Sequence, residues 1–251
     1  MKIQRYGWVR DLPDHRDFIY SAPPATLQTL PPSADLRPHC PPVYDQGQLG
    51  SCTANAIAGA LQFDEIKENK NGQSTPSRLF IYYNERVIEG TVKSDNGAQL
   101  RDGVKAVVRQ GICRESVWPY NISRFAVKPP ALAYKGAAKD KATHYLRLTQ
   151  VANQLKGCLA SGYPFVFGFT VYQSFEGPDV AKTGIVPMPR PSEAVLGGHA
   201  VCAVGYDDAQ QRFIVRNSWG PGWGMKGYCT MPYTYLLDPN LASDFWTLRT
   251  V

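Results

Sequence analysis

The sequence predicts an α+β protein with a helical half followed by a β-rich half, and two observations carry this. Up to about residue 162, apolar residues recur at helical spacing through "SCTANAIAGALQFDEI", "SRLFIYYNERVIEG", "LRDGVKAVVRQG" and "ANQLKGCLASG". From Pro164 onward the text changes period. Short apolar runs, "FVFGFTV", "HAVCAVGYDD", "RFIVRNSWG", "GYCTMPY" and "DFWTLRTV", alternate with Gly, Pro and Asp turns. Helices first and strands later is the order of an α+β chain rather than an alternating α/β one.

Taken in order, residues 1–34 stand apart from the rest. "DLPDHRDFIY" reads as extended, and "SAPPATLQTLPP" as a stiff Pro-rich linker that disfavours helix. An extension over 1–34 is therefore expected ahead of a domain over 35–251. Within that domain a helical lobe is expected over about 45–125 and a β-rich lobe over about 160–251. The first helix has Ser51 as candidate N-cap, and Ala54, Ile57, Ala58, Leu61, Phe63 and Ile66 recur at its spacing. Its first half is thin, with Ala54, Ala56, Ala58, Gly59 and Ala60, so neighbours can approach closely. From Lys128 to Arg147, Lys128, Lys135, Lys139, Lys141 and Arg147 face a single Asp140, which reads as a solvated loop. The long run "EGPDVAKTGIVPMPRPSEAVLGG" is expected to rim a cleft.

Composition bounds the function classes. The 251 residues are 43% hydrophobic and 19% charged, enough for a substantial core. The net charge of +6 is dispersed and accompanied by no nucleic-acid-binding motif, so no nucleic-acid partner is expected. No stretch is apolar for long enough to span a membrane. The N-terminal text lacks the apolar core of a secretory signal, which makes the cytoplasm the default location, with signal-independent export as the alternative. Six cysteines without C-x-x-C give neither a dense disulfide framework nor a zinc site. No metal or organic cofactor is implied, and a monomer is expected.

The chemistry starts at "VYDQGQLGSCTANAIAGALQF". Cys52 stands at a helix N-terminus, where the macrodipole favours thiolate over thiol. A buried core cysteine is the bland alternative. Of four histidines, His199 in "LGGHAVCAVGYDD" enters an apolar strand from a Gly-Gly turn, as a base at the edge of an open cleft would. A base needs an acceptor for its second ring N–H, and Asn217 is the natural candidate, with Trp219 able to shield that bond. Acyl transfer passes through an oxyanion that needs two donors. The Cys52 backbone N–H and the Gln46 side chain can supply them.

"QGxxGSC", "GGHAV" and "NSWGxxWGxxGY", in that order, resemble the papain-like cysteine peptidases, in which His and Asn follow Cys by about 130–150 residues. The resemblance covers about Leu30 to Val251. "DLPDHRDFIY", "DQGxLGSCTANA" and "DNGAQLRDG" resemble the family's bacterial branch. It implies a two-lobed fold with the cleft between the lobes and Cys52 and His199 as a thiolate–imidazolium pair on facing walls. It also implies that Gly97 and Ala98 form the wall strand for an extended peptide, and that Gly198 leaves the adjacent pocket roomy. The family's "CGSCW" reads "LGSCT" here. Leu49 therefore excludes the disulfide beside the nucleophile, and Thr53 replaces a tryptophan. Cys40 and Cys113, both beside turns, remain a possible pair in an oxidising compartment.

The reading is a cysteine endopeptidase acting on peptide or protein substrates. A ligase or amidase on the same triad and a silent peptide binder are the alternatives. Relatives carry a propeptide through the cleft, and residues 1–34 are too short for a helical prodomain. An extended strand is expected to cover the site, with Asp17, Phe18, Ile19 and Tyr20 as the occupant.

Overall fold

The helical and strand periods separate into two halves that meet along one buried helix. The computed structural model describes residues 6–68 and 74–250. Strand β1 (Trp8–Val9), helix α1 (Pro24–Gln28) and β2 (Ser33–Asp35) come first. The helical half follows with α2 (Cys52–Lys67), α3 (Arg78–Glu89), β3 (Ala98–Gln99), α4 (Leu100–Arg109) and α5 (Ala131–Ala137). Then come β4 (His144–Arg147), α6 (Ala152–Ala160), β5 (Phe165–Tyr172), α7 (Pro178–Thr183), β6 (Val195–Asp207), β7 (Arg212–Arg216), β8 (Tyr228–Pro232), α8 (Tyr233–Leu237) and β9 (Ala242–Arg249).

Helix α2 is buried on every side from Cys52 to Glu65, as a helix without a polar face must be. Its small residues let α3, α4 and β6 close in, and Gly59 faces the Arg216 side chain. Helix α3 is well bounded. Ser77 Oγ caps it by accepting from the Phe80 N–H, and Gly90 ends it at φ 73°.

The main sheet runs β4-β9-β5-β6-β7-β8 with β2 also on β6, and its ladders are antiparallel. Alternation along β5 sorts two cores. Val166 faces the core shared with α2, whereas Phe165, Phe167 and Phe169 fill the opposite one with Phe213 and Phe245. Gly168 lies on the α2 face by the same alternation.

Two expectations change. The basic stretch 128–147 is not a loop throughout: it contains α5 and β4, and β4 pairs with β9 from His144↔Arg249 to Arg147↔Trp246. The Pro-rich linker holds α1, where Pro24 takes the first helical position and its fixed φ suits the turn. The insert before His199 contains α7. Residues 17–35 pack as part of the body: Tyr20 and Ala22 are buried with Cys158 and Leu159, and β2 pairs with β6. All six cysteines are free thiols. Among the described residues, no helix is long and apolar enough to cross a membrane.

Candidate active site

Cys52 is the first residue of α2, where a backbone N–H has no intrahelical acceptor. Ser51 takes the N-cap position without capping. Its Oγ instead lies 2.5 Å from Tyr120 Oη and accepts from Asn55 Nδ2 at 3.0 Å. The Gly50 N–H donates to Asp95 Oδ1 at 3.0 Å, which fixes the turn just ahead of the cysteine. Beneath the helix, Thr53 Oγ1 donates to the buried Glu85 carboxyl at 2.7 Å, and burial drives that carboxyl towards its neutral form.

His199 sits on β6 opposite Phe169 of β5. Its Nε2 lies 2.8 Å from Asn217 Oδ1, and the same oxygen accepts the Ser218 N–H at 2.8 Å. Because Ser218 identifies this atom as the amide oxygen, the proton between the two side chains belongs to Nε2. Neutral His199 therefore carries its lone pair on Nδ1, which is buried without a partner among the described residues. The Trp219 ring lies 5.1 Å from the imidazole at 31° and is 9% exposed, so it covers the hydrogen-bonded side. Gln46 is buried. Its Oε1 accepts from Ser218 Oγ at 2.7 Å and its Nε2 donates to Leu49 O at 3.0 Å, an orientation that turns its nitrogen end towards the Cys52 turn.

Cys52, His199, Asn217, Gln46 and Trp219 thus come together from three separated parts of the chain. Gly97 and Ala98 lie on the helical side with Cys52, and what pairs with them is the chain's own N-terminal segment. Strand β1 runs parallel to β3, Trp8 opposite Ala98, and the Ala98 N–H donates to Gly7 O at 2.8 Å. The crossing is tight. A Cβ on Gly7 would stand 1.8 Å from Gly50 O, and one on Gly97, itself at φ 80°, would stand 2.0 Å from Gly7 O. Tyr6 meets His199 edge-on with ring centroids 6.0 Å apart and hydrogen-bonds to the Glu176 carboxylate. The Trp8 indole lies on Gly168 and Gly198, and its Nε1 donates to Asp244 Oδ2 at 3.1 Å.

The seated segment removes both reactive groups from water, leaving Cys52 and His199 0% exposed. Burial pushes the thiol up to about 12. The Glu85 carboxyl adds to this, while N–H groups of Ala200, Gly7 and Thr53 oppose it. Burial likewise takes His199 down to about 4 against the Asn217 hydrogen bond. Burial in this closed form thus disfavours the charged form of both groups, the opposite of what a thiolate–imidazolium pair in an open cleft requires.

The expected occupant does not lie in the cleft. Asp17 pairs with Arg101 and Arg147 at 2.6 and 3.2 Å, Ile19 bridges to Arg147, and Tyr20 enters the β-side core. Phe18 is 74% exposed. The reason is electrostatic: Asp17 and Arg101 are both nearly buried and each is the other's compensation. Sequence reading missed Tyr6, Trp8, Gly168, Glu176 and Asp244. Only the "YGW" text, a glycine between two aromatics, hinted at a cleft-filling strand.

Comparisons with known proteins fit this geometry. A sequence profile described as papain family cysteine protease matches residues 30–235. An uncharacterised peptidase C1-like protein of Acanthamoeba polyphaga mimivirus is 43% identical, over 99% of this chain and 88% of its own. The crystal structure of xylellain, a cysteine protease from Xylella fastidiosa, superposes with a TM-score of 0.94 at 45% identity, covering 100% of this chain and 97% of xylellain. A digestive procathepsin L2 from Tenebrio molitor shares the fold, with a TM-score of 0.76 at 23% identity over 99% of this chain and 79% of its own. The two-lobed architecture, the profile match and the extent of these identities agree: the chain belongs to the papain family of cysteine peptidases, hydrolases that act on peptide bonds.

Proposed function

We propose that the protein is an endopeptidase that works through a Cys52 thioester and is held closed by Tyr6–Val9. The observation that carries the first part is the Asn217 oxygen pinned by Ser218, which leaves His199 Nδ1 as the basic nitrogen. With the segment out, His199 takes the thiol proton and the Cys52 sulfur attacks the peptide carbonyl carbon. A C–S bond forms, and the carbonyl oxygen becomes an oxyanion received by the Cys52 N–H and Gln46 Nε2. The C–N bond then breaks as His199 gives its proton to the leaving amine. Water, deprotonated by His199, attacks the thioester and releases the acid and the thiol. Gly97 and Ala98 offer their backbone to an extended substrate.

The closed state follows from how the segment meets the sulfur. The Gly7 N–H faces the Cys52 sulfur, so this peptide group offers the nucleophile a donor rather than an electrophilic carbon. The segment can therefore fill the cleft without being cut. Gly7→Val in the full-length chain keeps every cleft residue but cannot make the Gly7–Gly50 crossing. With an epoxysuccinyl peptide at limiting concentration, intact mass should show a single adduct on Cys52. It should form about tenfold faster or more in Gly7→Val than in the unmodified chain, and not at all in Cys52→Ala. Equal fast labelling of both chains would discard the closing segment and keep the peptidase. Absence of a Cys52 adduct in both would leave a silent peptide binder. Product masses with added amine separate hydrolysis from ligation.

A further inference from the structure

The orientation of the Gln46 amide depends on one peptide group. Gln46 Nε2 donates to Leu49 O at 3.0 Å, and the N–H of that same Leu49–Gly50 peptide points the opposite way, as a trans peptide requires. There it meets the Asp95 carboxylate, with Oδ1 at 3.0 Å and Oδ2 at 3.3 Å. Asp95 is itself held. The fully buried Tyr82 donates its hydroxyl to Oδ1 at 2.5 Å. Arg86, also on α3, donates to Val92 O at 2.9 Å and Ser94 O at 3.2 Å in the loop that carries Asp95. The approach is close: a Cβ on Gly50 would stand 2.9 Å from Asp95 Oδ1. A glycine here admits the carboxylate, but it also leaves the peptide group easy to turn over.

We propose that Asp95 is a positioning residue for the oxyanion site: it fixes the Leu49–Gly50 peptide plane, and through that plane keeps Gln46 Nε2, rather than Oε1, turned towards the reacting carbonyl. This rests on the peptidase reading above. Ser218 Oγ donates to Gln46 Oε1 at 2.7 Å, but a hydroxyl can equally accept from an amide nitrogen, so Ser218 does not choose between the two ends. The Leu49–Gly50 peptide does. Turned over, it would present its N–H to Gln46. Oε1 would accept that N–H, and the same oxygen would then face the developing negative charge. Asp95 opposes this state twice. Turning the plane breaks a charge-assisted hydrogen bond and sets the Leu49 carbonyl against the carboxylate. Leu49 excludes a disulfide at this turn, so the tie is hydrogen-bonded rather than covalent. Tyr120, whose hydroxyl donates to Gln46 O at 3.0 Å, holds the main chain of the turn without acting on this plane.

The test uses the full-length Gly7→Val chain as parent and adds Asp95→Ala, Asp95→Asn and Gln46→Ala. Asp95→Ala should lower kcat on a peptide by about tenfold or more and move KM by no more than about threefold. Alkylation of Cys52 by iodoacetamide passes through no oxyanion. Its rate should stay within about twofold of the parent's, with the same pH profile. Asp95→Asn keeps an acceptor for the Gly50 N–H and should recover most of the loss. In the Gln46→Ala background, Asp95→Ala should cost no more than about twofold further, because the group it orients is gone. A full loss in that background, equal falls in turnover and alkylation, no recovery in Asp95→Asn, or an Asp95→Ala chain as active as its parent would overturn the proposal. Alkylation of the parent with no peptide cleaved would overturn the peptidase reading, and this inference with it. Should Asp95→Ala fail to fold, Tyr82→Phe removes only the hydroxyl behind Asp95. It should lower kcat about threefold with alkylation unchanged, and a kcat equal to the parent's would overturn the assignment.

Discussion

Asn217 Oδ1 holds two donors, the His199 Nε2–H and the Ser218 N–H, so a single atom sets the tautomer of the imidazole. Asn217→Ala in the Gly7→Val background should lower peptide turnover by about 100-fold, since it frees the ring to rotate and exchange tautomers. The Cys52 adduct should still form, only more slowly. Turnover within about threefold of the parent would remove Asn217 from the site. These residues were legible because each is a reactive type in unusual local text: a cysteine at a thin helix mouth, a histidine after Gly-Gly, an asparagine ahead of Ser-Trp-Gly. Asp244 was not. Its hold on Trp8 comes from a bulge, and a bulge depends on the register between β5 and β9, which no local stretch encodes.

At the scale of elements, the N-terminal extension divides by how it is held. Residues 6–11 lie along the cleft, and Asp11 anchors them by accepting from the Arg101 N–H and Trp246 Nε1. Burial, then the Asp244 carboxylate, raises Asp11 to about 7 against the pull of Arg101 and Trp246. Released into water, the carboxyl returns to its ordinary range near 3.8. The seated form therefore binds the proton more tightly. The hold is full below pH ~4 and declines as pH rises towards 7. The ratio of Cys52 labelling rates, unmodified chain over Gly7→Val, should climb between pH 5 and 8, and Asp11→Asn should flatten that climb. Residues 17–35 behave differently. A chain starting at Asp17 should melt within a few degrees of Gly7→Val, because it keeps the Asp17–Arg101 pair and Tyr20. A chain starting at Leu30 strips Arg101 of its partner. It should lose about 4 kcal/mol, or about 8–16 °C of Tm. Equal melting of the two shortened chains would refute this division. The helices were readable from their period. Strand β4 was hidden, because His144 to Arg147 owe their conformation to pairing with residues about a hundred positions later.

Across the whole molecule the segment touches both halves. It lies on Gly50, Gly97 and Ala98 from the helical side, and on Gly168, Gly198, Ser243 and Asp244 from the β side. It therefore acts as an internal ligand of the folded state and should stabilise the protein by linkage. Gly7→Val, which alters no core residue, should lower Tm by several degrees, and a peptide-like adduct on Cys52 should recover part of the loss. An unchanged Tm would mean that the two halves need no such tie. The three-glycine crossing also has a genetic consequence. Most substitutions in an enzyme diminish it, but at Gly7 almost any replacement expels the closing strand and leaves the catalytic residues intact. If the segment closes the site as proposed, a single missense change there would raise activity rather than abolish it.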